Sequence, residues 1–397
     1  MVNKVLPGQS WTQGVAARPA TAKPPSPERP KEKAPESCRG AVVSRAHPRK
    51  YEAINQMIYQ STHEMILDDV FLDLSGFISG VDVLLKLEGF NPAGSIKMKA
   101  AVGLLEDAES RGVLRPGGHV IESSSGNLGI ALSSVCAARG YRFTCVVDPN
   151  TSALSIALMK AFGAQVVSVD QRDANGGFLQ SRIDYIHRRL AEDPALVWPN
   201  QYANPANPKA HYERTAAAIV KQGLDVDYLF VGAGTTGTLM GCVAYFREHS
   251  PHTRVIAVDT VGSVTFGKPP GRRYIPGLGT SRRPEIFDPE QIEHTVMVPE
   301  AEAVRMCRRL AAQRGIVAGG STGSVLAAVE GRRDEIPSGA RVVAIAPDFG
   351  DRYLSTIYDD TWVQERFGAD VTVPNQRGHS ATTPNPIPGT GVPALKG

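Results

Sequence analysis

The sequence predicts an α/β protein of two lobes, each a mostly parallel twisted sheet covered by helices. Three observations predict it. Short β-branched or near-continuously apolar runs recur from Val81 to Pro347, and amphipathic runs of helical length separate most of them. A Pro- and Asn-rich stretch, Trp198-Pro199-Asn200-Gln201-Tyr202-Ala203-Asn204-Pro205, then interrupts the alternation near its middle. Strands apolar along their whole length are buried on both faces, as in a parallel sheet layered with helices. The interruption marks the crossing between two such lobes.

Taken in order, strands are expected at Val81–Leu87, His119–Glu122, Arg142–Asp148, Gln165–Asp170, Asp227–Val231, Arg254–Asp259, Thr295–Val298 and Arg341–Pro347. Helices are expected at Ala100–Glu109, Leu128–Arg139, Ala153–Phe162, Gly177–Leu190, Ala210–Lys221, Thr238–His249, Ala301–Arg314 and Ser324–Glu330. The larger lobe takes 49–90 with 200–370, and a smaller, mobile lobe takes 91–199. Residues 1–48, with Lys23-Pro24-Pro25-Ser26-Pro27, and the tail 371–397 are rich in Pro and poor in large apolar residues. Such segments bury too little apolar surface to offset their ordering entropy, so both are read as disordered extensions.

Composition narrows the function. A net charge of +3, with no basic stripe interleaved with aromatics, excludes nucleic acid as the expected partner. No apolar run approaches the ~18 residues of a membrane span, and no secretory leader is visible. Cys38, Cys136, Cys145, Cys242 and Cys307 form no CxxC pair, so buried free thiols in a reducing cytoplasm are expected. The histidines show no ligand spacing, and no metal site is expected.

In open α/β sheets, ligands bind beyond the carboxyl ends of strands. Glu122-Ser123-Ser124-Ser125-Gly126-Asn127-Leu128-Gly129 runs from a strand into a helix, where hydroxyls and free amides suit a carboxylate. Plain helix capping is the alternative. Gly232-Ala233-Gly234-Thr235-Thr236-Gly237-Thr238 satisfies GxGxxG, and Asp259 ends the next strand at the dinucleotide spacing, so an NAD-binding oxidoreductase stands as a rival. Its three threonines suit instead a terminal phosphate monoester, which has more oxygens to satisfy than a diester. Gly319-Gly320-Ser321 precedes another apolar helix. Asn91-Pro92-Ala93-Gly94-Ser95-Ile96-Lys97 puts a lysine at a strand-to-helix turn; alone, it reads as a solvated helix-start residue.

These four motifs, in this order, resemble those of fold-type II pyridoxal-phosphate enzymes, the cysteine synthase and cystathionine β-synthase group, over about Ile54–Phe367. The resemblance implies a two-lobed homodimeric enzyme whose Lys97 carries pyridoxal 5'-phosphate covalently. It implies further that Asn127 bonds the cofactor's phenolic oxygen. Gly234, Thr235, Thr236, Gly237 and Thr238 would hold the phosphate, and Ser321 would face the pyridine nitrogen. Ser124, Ser125, Gly126 and Asn127, with Gln201, would hold the substrate carboxylate. A hydroxyl rather than a carboxylate at the ring nitrogen makes a restrained electron sink, which favours β-elimination over transamination. The reaction is then β-replacement on an amino-acid substrate, with Lys97 as the base at Cα.

Within the group, Asp173–Gly177, Gly262–Gly267, Ile275–Arg282 and Pro347–Leu354 are most similar to the 2,3-diaminopropionate synthases of siderophore and antibiotic pathways. These join O-phosphoserine to glutamate as N-(2-amino-2-carboxyethyl)-L-glutamate and release phosphate. Arg272, Arg273, Arg282 and Arg283 flank the Pro-Gly-Leu-Gly turn; Arg273 and Arg282 are the candidates for phosphate or carboxylate recognition, and a solvated basic loop is the alternative. Met98 and Lys99 replace the usual Asp-Arg, and Leu128 replaces a common Thr. Asn204–Pro208 and Gly234 resemble cysteine synthase more closely, so sulfide is the rival nucleophile. A silent paralogue using the fold as a binding module is a further alternative, against which the intact Lys97 speaks.

Overall fold

Which runs can be covered on both faces decides the architecture. The computed structural model describes residues 58–173, 176–368 and 371, all in the unit that begins at Ile58. The extensions expected at 1–48 and 371–397 lie outside the described residues, apart from Val371, which is buried.

In chain order the elements are β1 (Phe71–Asp73), β2 (Asp82–Leu87), α1 (Lys97–Ser110), β3 (His119–Ser123), α2 (Asn127–Arg139), β4 (Arg142–Val147), α3 (Ala153–Ala161), β5 (Gln165–Ser168), α4 (Leu179–Glu192) and β6 (Leu196–Val197). There follow α5 (Ala206–Ala210), a π-helical turn (His211–Ala216), α6 (Ala217–Lys221), β7 (Tyr228–Gly232), α7 (Gly237–His249), β8 (Arg254–Thr260), β9 (His294–Val298), α8 (Glu300–Arg314), α9 (Gly320–Gly331), β10 (Arg341–Ala346) and α10 (Asp360–Phe367).

The strands make two sheets, one ordered β1-β2-β10-β7-β8-β9 and the other β5-β4-β3-β6. Every pairing is parallel except β1 with β2. The chain therefore starts in the larger sheet, builds the smaller one from β3 to β6, and returns. All eight expected strands are present. Strands β1 and β6, of three and two residues, are too short to carry a period and were not anticipated. The helix expected over Ala210–Lys221 is broken by the π turn, and such turns tend to lie at functional sites.

Alternate residues of the larger sheet face opposite layers. Val83, Leu85, Phe230, Ile256, Val258 and Val342 pack with Met306, Leu310, Val325 and Val329 of α8 and α9. Leu229, Val231, Ala257, Val343 and Ile345 pack with Leu239, Val243 and Phe246 of α7. Around the smaller sheet, Met98, Leu104, Leu105, Ile130, Leu132 and Val135 of α1 and α2 cover Val120, Phe143 and Cys145. Each such side chain contributes roughly 1.5–3 kcal/mol relative to exposure, which is why the alternation is kept strand after strand.

Cys136, Cys145, Cys242 and Cys307 are free and buried, and burial pushes their thiols up to about 12, so they act as small apolar residues. Among the described residues no helix is long and apolar enough to cross a membrane, and no cluster of potential ligands could hold a metal ion.

Candidate active site

Loops leaving the carboxyl ends of β2, β3, β7 and β10 converge. The β2 loop ends in Lys97, the first residue of α1. Gly94, at φ 69°, donates its N–H to Asn91 O (2.6 Å), and Ile96 N–H is held by Pro347 O (2.7 Å), so the lysine leaves a constrained turn. Its Nζ donates to Thr235 Oγ1 at 3.4 Å. Burial lowers the Lys97 amine to about 8, and the neighbouring Asp348 carboxylate opposes that shift. An appreciable fraction is therefore unprotonated near neutrality, as a nucleophilic amine requires.

Its neighbours have other duties. Met98 is fully buried in the core that covers the smaller sheet. Lys99 is also fully buried, 2.8 Å from both Glu88 Oε1 and Asp68 Oδ1, and Lys86 reaches the same Glu88 oxygen at 2.9 Å. Lys99 is thus committed to an internal charge cluster and is not a second amine of the cleft.

After β3, the Ser124 hydroxyl accepts Gly129 N–H at 2.9 Å and Gly126 N–H at 3.4 Å, which makes it a local cap for the start of α2. Ser125, Gly126 and Asn127 stay half-exposed there. Gln201 is buried, with Nε2 on Ser123 O at 3.1 Å. Beneath them lies Glu122, a residue without a role from sequence. Burial raises its carboxyl to about 7, although it accepts Trp198 Nε1–H (2.9 Å), Ser123 N–H (2.8 Å) and Gln201 N–H (3.2 Å). It ties the end of β3 to the Trp198–Gln201 crossing.

After β7, the chain makes an anion cradle. A Cβ on Gly234 would lie 2.7 Å from Gly277 O, and one on Gly237 only 2.1 Å from Asn207 Oδ1, so both must be glycine. Thr236 adopts φ 66°, a left-handed conformation costly for a β-branched residue, and its buried hydroxyl has no hydrogen-bond partner. Among the described residues, no acceptor meets the N–H groups of Thr235 to Thr238 at the start of α7. Thr235 Oγ1 also receives Asn207 Nδ2–H at 3.4 Å. Thr238 Oγ1 is 3.3 Å from His211 Nε2, a ring kept neutral by burial and by Lys97 and Lys99. Unpaired N–H groups at a helix start, with an orphaned hydroxyl, are donors awaiting an anion.

Asp259 does not serve that cradle. Its carboxyl is buried at the end of β8 and raised by burial to about 6, an effect that Ser263, Thr265 and Arg273 oppose; Oδ1 accepts Thr260 N–H at 2.8 Å. The ribose-binding role that a dinucleotide site needs is therefore unfilled. Ser321, in the first turn of α9, is buried and sits 3.7 Å from where a Gly277 Cβ would be. The two candidate arginines separate. Arg273 is half-buried beneath the turn, with Nη1 3.3 Å from Leu278 O, whereas Arg282 is partly exposed and paired with Glu285. Arg272 and Arg283 stack on Tyr274 and Phe287.

Tyr202, Arg182, Asp348 and Arg352 also had no role from sequence. Burial raises the Tyr202 phenol, and Arg182, Arg273 and Arg282 pull against that rise. Arg182 is buried with Nη1 3.5 Å from Asp148 Oδ2, and its Nε and Nη1 lack hydrogen bonds. Asp348 lies one residue, Pro347, beyond the end of the apolar β10 run, a strand-end position visible in the sequence.

A partly neutral lysine, a phosphate-suited cradle hydrogen-bonded to it, and a buried serine hydroxyl fit a phosphorylated aldehyde cofactor set between two open α/β sheets. Fold and site together define a pyridoxal-phosphate enzyme. The family model for "Pyridoxal-phosphate dependent enzyme" matches residues 72–348, and the chain belongs to that family. It is 41% identical over 311 residues to N-(2-amino-2-carboxyethyl)-L-glutamate synthase of Ralstonia nicotianae, covering 77% of this chain and 92% of that protein. It is 42% identical over 298 residues to the synthase of the same name from Cupriavidus metallidurans, covering 74% and 87%. Among solved structures, O-ureido-L-serine synthase superposes with a TM-score of 0.70 at 34% identity, covering 77% of this chain and 99% of that one. The O-acetylserine dependent cystathionine β-synthase of Helicobacter pylori gives 0.71 at 29%, covering 77% and 100%. The chain is a pyridoxal-phosphate-dependent enzyme of the cysteine synthase superfamily.

Proposed function

We propose that this enzyme joins O-phospho-L-serine to L-glutamate by β-replacement, releasing phosphate and forming N-(2-amino-2-carboxyethyl)-L-glutamate. The observation that carries the reading is the 41% and 42% identity to two synthases of that name over most of their length. The guanidinium groups of Arg182, Arg273 and Arg282 around Tyr202 support it, because this donor and acceptor pair brings several anionic groups into one cleft.

The bound cofactor would supply an electron sink for the substrate's Cα. The cradle from Gly234 to Thr238 holds its phosphate, Ser321 serves the ring nitrogen, and Asn127 the phenolic oxygen. Ser125 to Asn127 and the start of α2, braced by Ser124 and Gln201, hold the substrate carboxylate. Lys97 would hold the cofactor and, once its amine is free, takes the Cα proton and later returns it to the same carbon. Between those events the Cβ–O bond to phosphate breaks and the glutamate nitrogen bonds Cβ, so one glutamate N–H proton leaves with the phosphate. In this reading the chain works in the cytoplasm as a homodimer, 91–199 is its mobile lobe, and the product supplies 2,3-diaminopropionate for a siderophore or antibiotic.

The deciding assay incubates the enzyme with O-phosphoserine and either glutamate or sulfide, and identifies the product by mass. A glutamate adduct with phosphate release is expected; product from sulfide alone would replace this reading with cysteine synthesis.

A further inference from the structure

The loop after β10, Pro347–Tyr353, touches three of the four site motifs at once. Its backbone receives Ile96 N–H at Pro347 O (2.7 Å) and Gly319 N–H at Asp348 O (3.3 Å), and Asp348 bridges Ser95. Its side chains reach the remaining partners. Asp348 Oδ2 accepts Asn127 Nδ2–H at 2.7 Å and the Tyr353 hydroxyl at 2.7 Å. Arg352 donates to Asn127 Oδ1 and, through Nη2, to Ala93 O at 2.6 Å. Asn127 opens α2 beside the smaller sheet, so two residues from the end of the larger sheet grip it across the cleft.

We infer that Asp348 and Arg352 are positioning residues that fix which way the Asn127 amide faces, leaving one Asn127 N–H available to the cofactor. A carboxylate only accepts and a guanidinium only donates, so Asp348 must meet the amide nitrogen and Arg352 the amide oxygen. A half-turn of the amide would set oxygen against carboxylate and N–H against guanidinium, exchanging two charge-assisted bonds for two repulsive contacts. Asp348 is 2% exposed, so water does not stand in for the carboxylate. The same carboxylate opposes the effect of burial on Lys97, which puts it electrostatically in reach of the reacting amine. Without the grip, the amide would present its oxygen as readily as its N–H to whatever it faces.

The inference rests on the cofactor-binding role of Asn127, not on the identity of the second substrate. The test uses holoenzyme and cofactor-stripped forms of wild type, Asp348→Ala, Asp348→Asn, Arg352→Ala, Asn127→Ala and the double variant Asn127→Ala/Asp348→Ala. Circular dichroism and the thermal midpoint of each stripped form establish folding; titration with pyridoxal phosphate gives Kd and the position of the visible band. Asp348→Ala and Arg352→Ala are expected to weaken cofactor binding about ten-fold and to shift the band as Asn127→Ala does. Asp348→Asn keeps an oxygen for Asn127 and Tyr353 and should stay within about three-fold of wild type. The double variant should be no worse than Asn127→Ala alone, because both act through one amide. Wild-type Kd and band in Asp348→Ala and Arg352→Ala, or full additivity in the double variant, would overturn the assignment. Should Asp348→Ala fail to fold, Arg352→Ala, at a half-buried position, decides it. An enzyme that makes no product from O-phosphoserine and glutamate would leave these titrations unaffected, so the two readings fail separately.

Discussion

Lys97 Nζ hydrogen-bonds the hydroxyl of Thr235, 138 residues further along the chain, at 3.4 Å. That contact joins the first residue of α1 to the loop that opens α7. It places a partly neutral amine beside donors suited to a phosphate. Neither helix start would amount to a site without the other.

Replacing Lys97 with Ala should abolish covalent cofactor attachment and lower turnover by ~10²–10⁴-fold, the range for a positioned acid–base group. Borohydride should bleach the visible band of wild type and add cofactor mass to the Lys97 peptide. Attachment to stripped protein should quicken as pH rises through about 8, because the neutral amine is the reacting form and burial sets its midpoint there. Unchanged turnover in the variant would remove Lys97 from the mechanism.

Thr236→Val deletes a buried hydroxyl that has no partner within the protein. Stripped enzyme should keep its thermal midpoint, since no internal hydrogen bond is lost. The Kd for pyridoxal phosphate should rise about ten-fold, as for one lost hydrogen bond to a charged group. Gly237→Ala, whose Cβ would sit 2.1 Å from Asn207 Oδ1, should lower the midpoint as well. Equal behaviour of the two variants in calorimetry would show that the cradle is not built as described.

Glu122 gives a pH signature of stability. Its carboxyl titrates near 7 in the folded protein against 4.5 for a free glutamate, so the folded state holds the proton longer. Stability from this group is full below about 4.5 and is lost as pH rises through about 7, by an amount on the order of 3 kcal/mol. Glu122→Gln should flatten that slope in urea melts between pH 5 and 7. At pH 5, where Glu122 is protonated, the variant should be about 1–3 kcal/mol less stable, because an amide NH₂ cannot accept an N–H that a carboxyl oxygen receives, and the deficit should shrink as pH rises toward 7. A slope identical to wild type would assign the pH dependence elsewhere.

Lys99→Met tests whether the second lysine of the motif is structural. Removing one member of a buried ion cluster leaves Glu88 and Asp68 less compensated, and about 3 kcal/mol of stability should be lost. The visible band and borohydride labelling at Lys97 should persist in the folded fraction. Loss of the band without loss of stability would place Lys99 in the cleft instead.

Much was legible in the chain because parallel strands buried on both faces leave continuous apolar runs, and because helix starts that bind anions need Gly, Ser and Thr at short spacing. Thus the eight longer strands, Lys97, the Gly234–Thr238 loop and the Ser124–Asn127 turn could be marked out by local chemistry. Local chemistry also left a rival standing, since GxGxxG with Asp259 at the dinucleotide spacing fits a nicotinamide site and only the three threonines of the loop spoke against it. Only the fold shows Asp259 buried beneath its own loop, facing Ser263, Thr265 and Arg273.

The sequence by itself determined the fold class, the strand ends at which chemistry would lie, and the family, because these depend on periodicity and on residues close together in the chain. The tertiary structure alone decided that Lys99 is locked to Glu88 and Asp68, that Arg273 lies under a turn while Arg282 pairs with Glu285, and that Asp348 and Arg352 clasp Asn127. Those contacts join residues up to 225 positions apart. What a long polar side chain does is set by which partner desolvation leaves within its reach, and no local pattern encodes that.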